Sequence, residues 1–188
     1  MVGGLDAFQG RPDQDGLVES SSSCGYHPGV STVRWLRAHE QATWQAFLHA
    51  SLSLMHQLDR ELQRDAGIPH AYYMILGVLS GAPERRLRMS ELAATLWSSP
   101  SRLSHAVARL EERAWIQRVA CVTDKRGAIA VLTEPGLQAL SAAAPGHVEG
   151  VRRHLFDQLS PEQVDQLHTI STAVADHLAA LSQPGGSD

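Results

Sequence analysis

Apolar residues recur at helical spacing through most of this chain, and only one short stretch gives way to β-prone runs. Trp44, Leu48, Leu52, Met55, Leu58 and Leu62 follow one another at steps of four, four, three, three and four, which lays a single apolar stripe along one long helix. That helix is predicted from Val33 to about Gln63, and its stripe is longer than one small domain needs to cover. Gly67-Ile68-Pro69 breaks it. A second helix, Pro69 to Leu79, is apolar on nearly every side and is predicted to be central and buried. Gly81-Ala82-Pro83 ends that helix.

Helix punctuation is clear in the middle of the chain. Ser90 is read as the cap of a short helix, with Glu91 in its first turn and Leu92, Ala93 and Leu96 facing inward. Ser99-Pro100 opens the next helix, with proline where its missing N–H is harmless. Leu103, Ala106, Val107 and Leu110 form its inward stripe. About three residues join the two, a spacing that fits a helix-turn-helix. Two β-prone runs follow, Ile116–Val122 and Ala128–Leu132, joined by Thr123-Asp124-Lys125-Arg126-Gly127 as a hairpin loop. Thr133 caps a further helix that Pro145-Gly146 is expected to kink or interrupt. Ser160-Pro161-Glu162-Gln163 has the form of a capping box and starts the last helix, which carries Val164, Leu167, Ile170, Val174, Leu178 and Leu181.

The fold expected is mainly α with a small β-wing: a winged helix-turn-helix between N- and C-terminal dimerisation helices. By residue number this gives a disordered leader at 1–31, a first dimerisation helix at 32–66, and a DNA-binding unit at 67–133. Helices completing the dimer follow at 134–182, with a tail at 183–188. A two-fold dimer of this kind presents two reading helices to successive major grooves, roughly 10 bp apart.

Composition refines this picture. With 43% hydrophobic but only 5% aromatic residues, the core should be built of Leu, Ala and Val, which favours helices. No run of 18 apolar residues suggests a membrane span, and Met1–Gly10 lacks the pattern of a secretory signal, so a cytoplasmic protein is expected. The net charge of −4 argues against nucleic acid, but its distribution argues for it. Arg85 to Arg126 holds nine basic and four acidic residues, a local +5 that leaves −9 for the rest. A basic lobe on an acidic body is the footprint of a DNA binder with one gripping face.

Asp124-Lys125-Arg126-Gly127 followed by Leu132-Thr133-Glu134-Pro135-Gly136 resembles the wing signature of the multiple-antibiotic-resistance regulator (MarR) family. Arg109-Leu110-Glu111 is similar to the end of that family's recognition helix, and Met89-Ser90-Glu91-Leu92-Ala93 to the start of its helix-turn-helix. The resemblance implies an obligate homodimer, triangular in outline, on palindromic double-stranded operator DNA. It also implies release by a small, often aromatic or phenolic, effector. Two positions depart from the pattern: His105, where the family often has Arg or Lys, and Trp115, read as standing where a glycine usually ends the recognition helix.

Candidate DNA contacts are Ser99, Ser101, Arg102, Ser104, His105, Arg109, Lys125 and Arg126. Arg126 suits a narrow minor groove, whose potential attracts a guanidinium. Lys125 suits a phosphate, and Arg102 suits a guanine edge read by two hydrogen bonds. Arg109 has two readings, a DNA contact or an ion-pair partner within the domain. Asp124 would be repelled by DNA, so its role is to orient Arg126, Arg109 or a turn N–H. In the family the effector sits between the dimer helices and the winged helix; here Trp44, Met55, His56, Tyr72, Tyr73 and Met74 are candidates, alongside simple core packing. Arg118 beside Cys121 raises a redox reading, which the lack of a nearby resolving cysteine disfavours; Cys24 lies in the leader. His147, His154, His168 and His177 form no compact ligand cluster. No cofactor, metal or catalytic residue is expected, since there is no nucleophile elbow, phosphate loop or zinc motif. The alternative to a regulator is a winged-helix interaction module without specific DNA binding, against which the basic wing argues.

Overall fold

The computed structural model describes residues 33–121 and 127–182. Six helices and three short strands follow in order: α1 (Ala38–Ala66), α2 (His70–Gly81), β1 (Arg86–Arg88), α3 (Met89–Thr95), α4 (Pro100–Glu112), β2 (Ile116–Ala120), β3 (Ala128–Leu132), α5 (Glu134–His154) and α6 (Pro161–Ser182). The first helix starts later and ends later than the stripe suggested, because residues 33–37 take up no regular structure and the turn comes only at Gly67.

The core gathers around α2. Ile75, Leu76 and Leu79 meet Leu92 and Ala93 of α3, Leu103, Val107 and Leu110 of α4, and Ile116, Ala130 and Leu132 of the sheet. Leu92, Ala93, Leu103, Val107 and Leu110 are predicted inward positions, while Leu96 and Ala106 of the same stripes are half-buried against the cluster, and this burial is the main force that orients α4. A second small cluster, Leu62, Ile68 and Ala143, ties α1 to α5. Tyr72, Tyr73 and Trp115 touch both clusters.

The sheet differs from the two-stranded wing expected. It has three antiparallel strands in the order β1-β3-β2, with Leu87 opposite Ala130 and Arg118 opposite Ala130 on the other side. Arg86-Leu87-Arg88 had no signal of its own: three residues are too few for a period. Its hydrogen-bonding partner also lies more than forty positions away. With Arg86–Arg88 in the sheet, α3 begins at Met89, so its cap is Arg88 and not Ser90. The Arg88 N–H donates to Glu91 at 3.3 Å, which keeps the expected role of Glu91.

The other caps are as read. The Ser99 hydroxyl accepts from the Arg102 N–H at 3.3 Å, and Thr133 accepts from the Gly136 N–H at 3.2 Å. Ser160 and Gln163 exchange both bonds of a capping box. Pro145 does not interrupt α5, which is continuous from Glu134 to His154. Both Pro145 and Ser141, the residue whose carbonyl loses its helical donor, are exposed, so the orphaned carbonyl lies on a face open to solvent.

Helices α1, α3 and α4 end in the same way. At each, one residue adopts the left-handed conformation and the next donates back over the last turn, by five residues from Ser98 to Ala93 and from Trp115 to Leu110 and by six from Ile68 to Leu62. The left-handed residue is Gly67 in α1 (φ 65°), but Ala114 in α4 (φ 56°) and Trp97 in α3 (φ 50°). The position in α4 that demands glycine is therefore Ala114, one residue before Trp115. A left-handed non-glycine residue costs about 1–2 kcal/mol, partly offset by glycine's greater freedom in the unfolded chain. Ala114→Gly is expected to stabilise the protein by about 0.5–1 kcal/mol, raising Tm by about 1–4 °C; an unchanged or lowered Tm would contradict this strain.

Candidate nucleic-acid interface

Helix α4 is amphipathic in the sense a reading helix requires. Leu103, Val107 and Leu110 are fully buried against α2 and α3, so the helix cannot rotate without losing the core. Its opposite face presents Ser101, Arg102, His105 and Arg109 to solvent, and Ser104 is half-buried at the edge of that face. Ser99 lies at the exposed N-terminus, but its hydroxyl oxygen already serves the helix as a cap.

The arginines of the basic stretch differ in what they can still do. Arg109 donates to both carboxylate oxygens of Glu112, at 2.9 and 3.2 Å. Of its two readings, the ion pair is thus present, and it holds the side chain back along α4. Arg118 binds Glu111 through Nε at 2.6 Å and through its own backbone N–H at 2.8 Å. This contact bolts β2 to the end of α4 and, with burial opposing, helps hold the Glu111 carboxyl below its usual range. Arg85 pairs with Glu134 at 3.2 Å and Arg86 with Glu84. Arg113 donates to the Gly67 carbonyl at 3.2 Å and lies over the Trp115 ring at 4.9 Å. Among the described residues, Arg102 alone of α4's two exposed arginines keeps its guanidinium clear of any carboxylate.

The wing root is tightly built. The Thr133 hydroxyl donates to the Ala114 carbonyl at 2.7 Å, and the Thr133 N–H donates to the Trp115 carbonyl at 3.1 Å. Gly136 packs so closely that a Cβ there would overlap the same Trp115 carbonyl and the Leu132 side chain. Leu132-Thr133-Glu134-Pro135-Gly136 is thus the clamp that fixes β3 and α5 on the end of α4. Asp124, Lys125 and Arg126 lie outside the described residues. Cys121 is only 7% exposed, and the Arg118 guanidinium proposed to activate it is engaged by Glu111. With the thiol buried and the guanidinium engaged elsewhere, the redox reading gains nothing here.

The candidate effector residues are unequally placed among the described residues. Trp44, Met55, His56 and Met74 are exposed, whereas Tyr72 and Tyr73 are half-buried among the core clusters. A small cleft of about 70 Å³ lies instead between α1 and α5, lined by Leu58, Glu61, Leu62, Asp65 and His147 among others. Drug-sized ligands occupy roughly 300–1,000 Å³, so this cleft is too small for one.

Beside that cleft the Tyr73 and His147 rings stand 4.4 Å apart and those of His70 and His147 5.4 Å apart. The His147 Nδ1 is buried without a hydrogen-bond partner among the described residues. Burial pushes both imidazoles below their ordinary value, against the attraction of Asp59 for His70 and reinforced by His70 for His147. The unfolded chain therefore takes up these protons more readily than the folded one. Their contribution to stability is complete above about pH 6.5 and is lost as the pH falls from there toward the depressed folded values. Thermal melts between pH 7.5 and 5 should show a falling Tm that His147→Gln partly flattens; a level wild-type profile would contradict the argument. Glu61 acts in a separate window. Its hydrogen bond from His154, with further help from Gln57, holds its carboxyl below the usual range, so its contribution is complete above about pH 4.5 and fades only as the pH falls from there toward the lowered folded value.

Known proteins with this arrangement are numerous. The sequence model of the MarR family matches residues 66–127. The chain is 49% identical to Sco3205 of Streptomyces coelicolor, a MarR family transcriptional regulator solved in complex with DNA. That match covers 83% of this chain and 97% of the other, with a TM-score of 0.75. AbsC, a MarR family transcriptional regulator of the same organism, is 41% identical over 79% of this chain and 99% of its own, with a TM-score of 0.73. An Escherichia coli MarR mutant complexed with operator DNA shares the fold at 20% identity and a TM-score of 0.63, covering 71% of this chain and 93% of that one. No curated protein sequence matches. Among the described residues, no helix is long and apolar enough to cross a membrane.

Proposed function

The chain belongs to the MarR family of transcriptional regulators, and from that premise we propose that it is a homodimeric repressor of palindromic operator DNA, released by a small effector. The observation that carries this reading is α4 itself. Three fully buried residues lock its inner face, and its outer face offers Ser101, Arg102 and His105 to solvent, with Arg102 unclaimed by any described carboxylate. That is the equipment for entering a major groove. A relative 49% identical was solved in complex with DNA, which supports the same partner here.

In this reading Arg102 reads base edges, while Ser99, Ser101, Ser104 and His105 contact phosphates or bases around it. Lys125 and Arg126 grip the backbone and the minor groove from the wing, with Asp124 orienting the loop. Arg109 acts through its ion pair with Glu112.

The partner in the dimer is argued from exposed apolar surface. Helix α6 leaves Ile170, Val174, Leu178 and Leu181 open, the last at 69%, and α1 leaves Phe47 and Leu52 open, the latter at 68%. Apolar stripes of that length on two terminal helices favour burial against a second copy. The effector site is then a cleft completed by that copy, to which Trp44, Met55, His56, Tyr72, Tyr73 and Met74 contribute. A partly aromatic, mostly apolar lining suits a phenol or an aromatic acid.

The deciding experiment titrates the full chain against its own upstream intergenic DNA and a scrambled duplex, by fluorescence anisotropy at two salt concentrations, with light scattering to give the mass in solution. Sequence-preferring binding that weakens steeply with salt, by a species of twice the chain mass, supports the reading. Salt-insensitive or absent affinity for every duplex would overturn it and favour a winged-helix interaction module.

A further inference from the structure

Trp97 closes α3 in a conformation that its side chain resists. Of the three helix ends built on a left-handed residue, α1 uses Gly67, α4 uses the small Ala114, and α3 uses a tryptophan. For a bulky residue a φ of 50° is an outlier with a real energetic cost. The turn itself needs only the backbone: Trp97 N–H donates to Ala94 at 3.1 Å and Ser98 N–H to Ala93 at 3.0 Å, bonds that a glycine would make equally well.

Among the described residues the side chain adds little to the core in exchange. Trp97 is 66% exposed and joins neither buried cluster, unlike Trp115, which packs against both. Strain without a folding return points toward function. Its position sharpens the point. Trp97 lies two residues before Ser99, the N-cap of α4, on the turn that leads into the exposed face carrying Ser101 and Arg102. When the second helix of a helix-turn-helix enters a groove by its N-terminal end the first helix crosses the backbone, so the turn between them stands beside the flanking strand.

We propose that Trp97 is a DNA-backbone contact: its ring lies along the deoxyribose edge beside the groove entered by α4, and its Nε1–H donates to a phosphate oxygen. The chemistry matches, because the indole N–H is a donor only and a phosphate oxygen only accepts. A neutral donor adds affinity without releasing counterions, and a backbone contact carries no sequence information. This inference rests on the DNA-binding reading above.

Affinity and stability separate this role from a structural one. The full-length wild type, Trp97→Gly and Trp97→Phe are titrated by anisotropy against the upstream intergenic duplex and a scrambled duplex across a salt series, with a thermal melt of each. Trp97→Gly is expected to melt at or above the wild-type temperature while binding both duplexes about tenfold more weakly, the scale of one hydrogen bond to a charged group. The slope of log affinity against log salt is expected to stay the same. Trp97→Phe, which keeps a ring but loses the donor, should fall between. Wild-type affinity in Trp97→Gly would overturn the proposal, as would a loss confined to the specific duplex, which would mark a base contact. If the wild type binds neither duplex even at low salt, the DNA-binding reading itself fails and this proposal falls with it; if the wild type binds and only the variants behave as wild type, this proposal alone falls.

Discussion

Gly136→Ala is expected to destabilise the protein by about 3 kcal/mol, lowering its Tm by about 6–12 °C. The added methyl would point into the Trp115 carbonyl, part of a backbone that cannot step aside. That carbonyl already accepts the Thr133 N–H, and Thr133 in turn caps α5 and binds the Ala114 carbonyl. A shift of α5 large enough to admit the methyl would therefore loosen three bonds at once. Two of those bonds, from Thr133 to the Trp115 and Ala114 carbonyls, join the end of α4 to the root of the wing, so DNA affinity should fall together with Tm. Gly146→Ala is the matched control: it lies in the same helix with open space around its Cβ position, and it should leave Tm unchanged or raise it slightly. A Gly136→Ala protein that melts like the wild type would show that the junction is looser than its geometry implies.

The same junction shows which features a sequence discloses and which it hides. Ser99, Thr133 and Ser160 cap the helices they were read to cap, because a cap is decided by a side chain and an N–H three residues on. The inward stripe of α4 was equally legible, since its period is local. Strand β1 was missed because Arg86–Arg88 is held by pairing with Val131 to Ile129, which no local pattern records. Of the two outcomes Pro145 allows, a kink or an interruption, only interruption is excluded, for a related reason: whether a proline interrupts a helix depends on which side faces water, and that is a tertiary fact. The left-handed turn falls at Ala114, one residue before the Trp115 that the family pattern points to, because no glycine stands in the sequence to mark it.

The candidate site divides along the same line. The exposed polar face of α4 follows from its stripe, so Ser101, Arg102 and His105 were within reach of sequence. Which arginines are already spoken for is only half legible. An ion pair is one of the two readings sequence allows Arg109, whose partner Glu112 lies three residues on; Arg118 with Glu111 joins a strand to a helix and leaves no local pattern. Trp97 was passed over because a turn residue joins no periodic face. Its conformation and exposure bring it into view only when the two are seen together.

Arg102→Ala is expected to weaken binding to the specific duplex by about 10- to 100-fold, the range set by about 1–3 kcal/mol for a guanidinium that makes two hydrogen bonds to a base. Its loss on a scrambled duplex should be much smaller, so the ratio between the two affinities collapses. The contrast with Arg109→Ala isolates the cause. Both arginines are exposed on α4 and both carry one positive charge, but the Arg109 guanidinium is bound to Glu112, so removing it also frees an acid. If net charge on this helix governed binding, the two substitutions would weaken both duplexes alike. If an available guanidinium governs it, only Arg102→Ala removes discrimination. Affinities for the two duplexes, measured at one salt concentration with circular dichroism to verify the fold, decide between them. Retained discrimination in Arg102→Ala would move the reading of bases to other residues of α4 or to the wing.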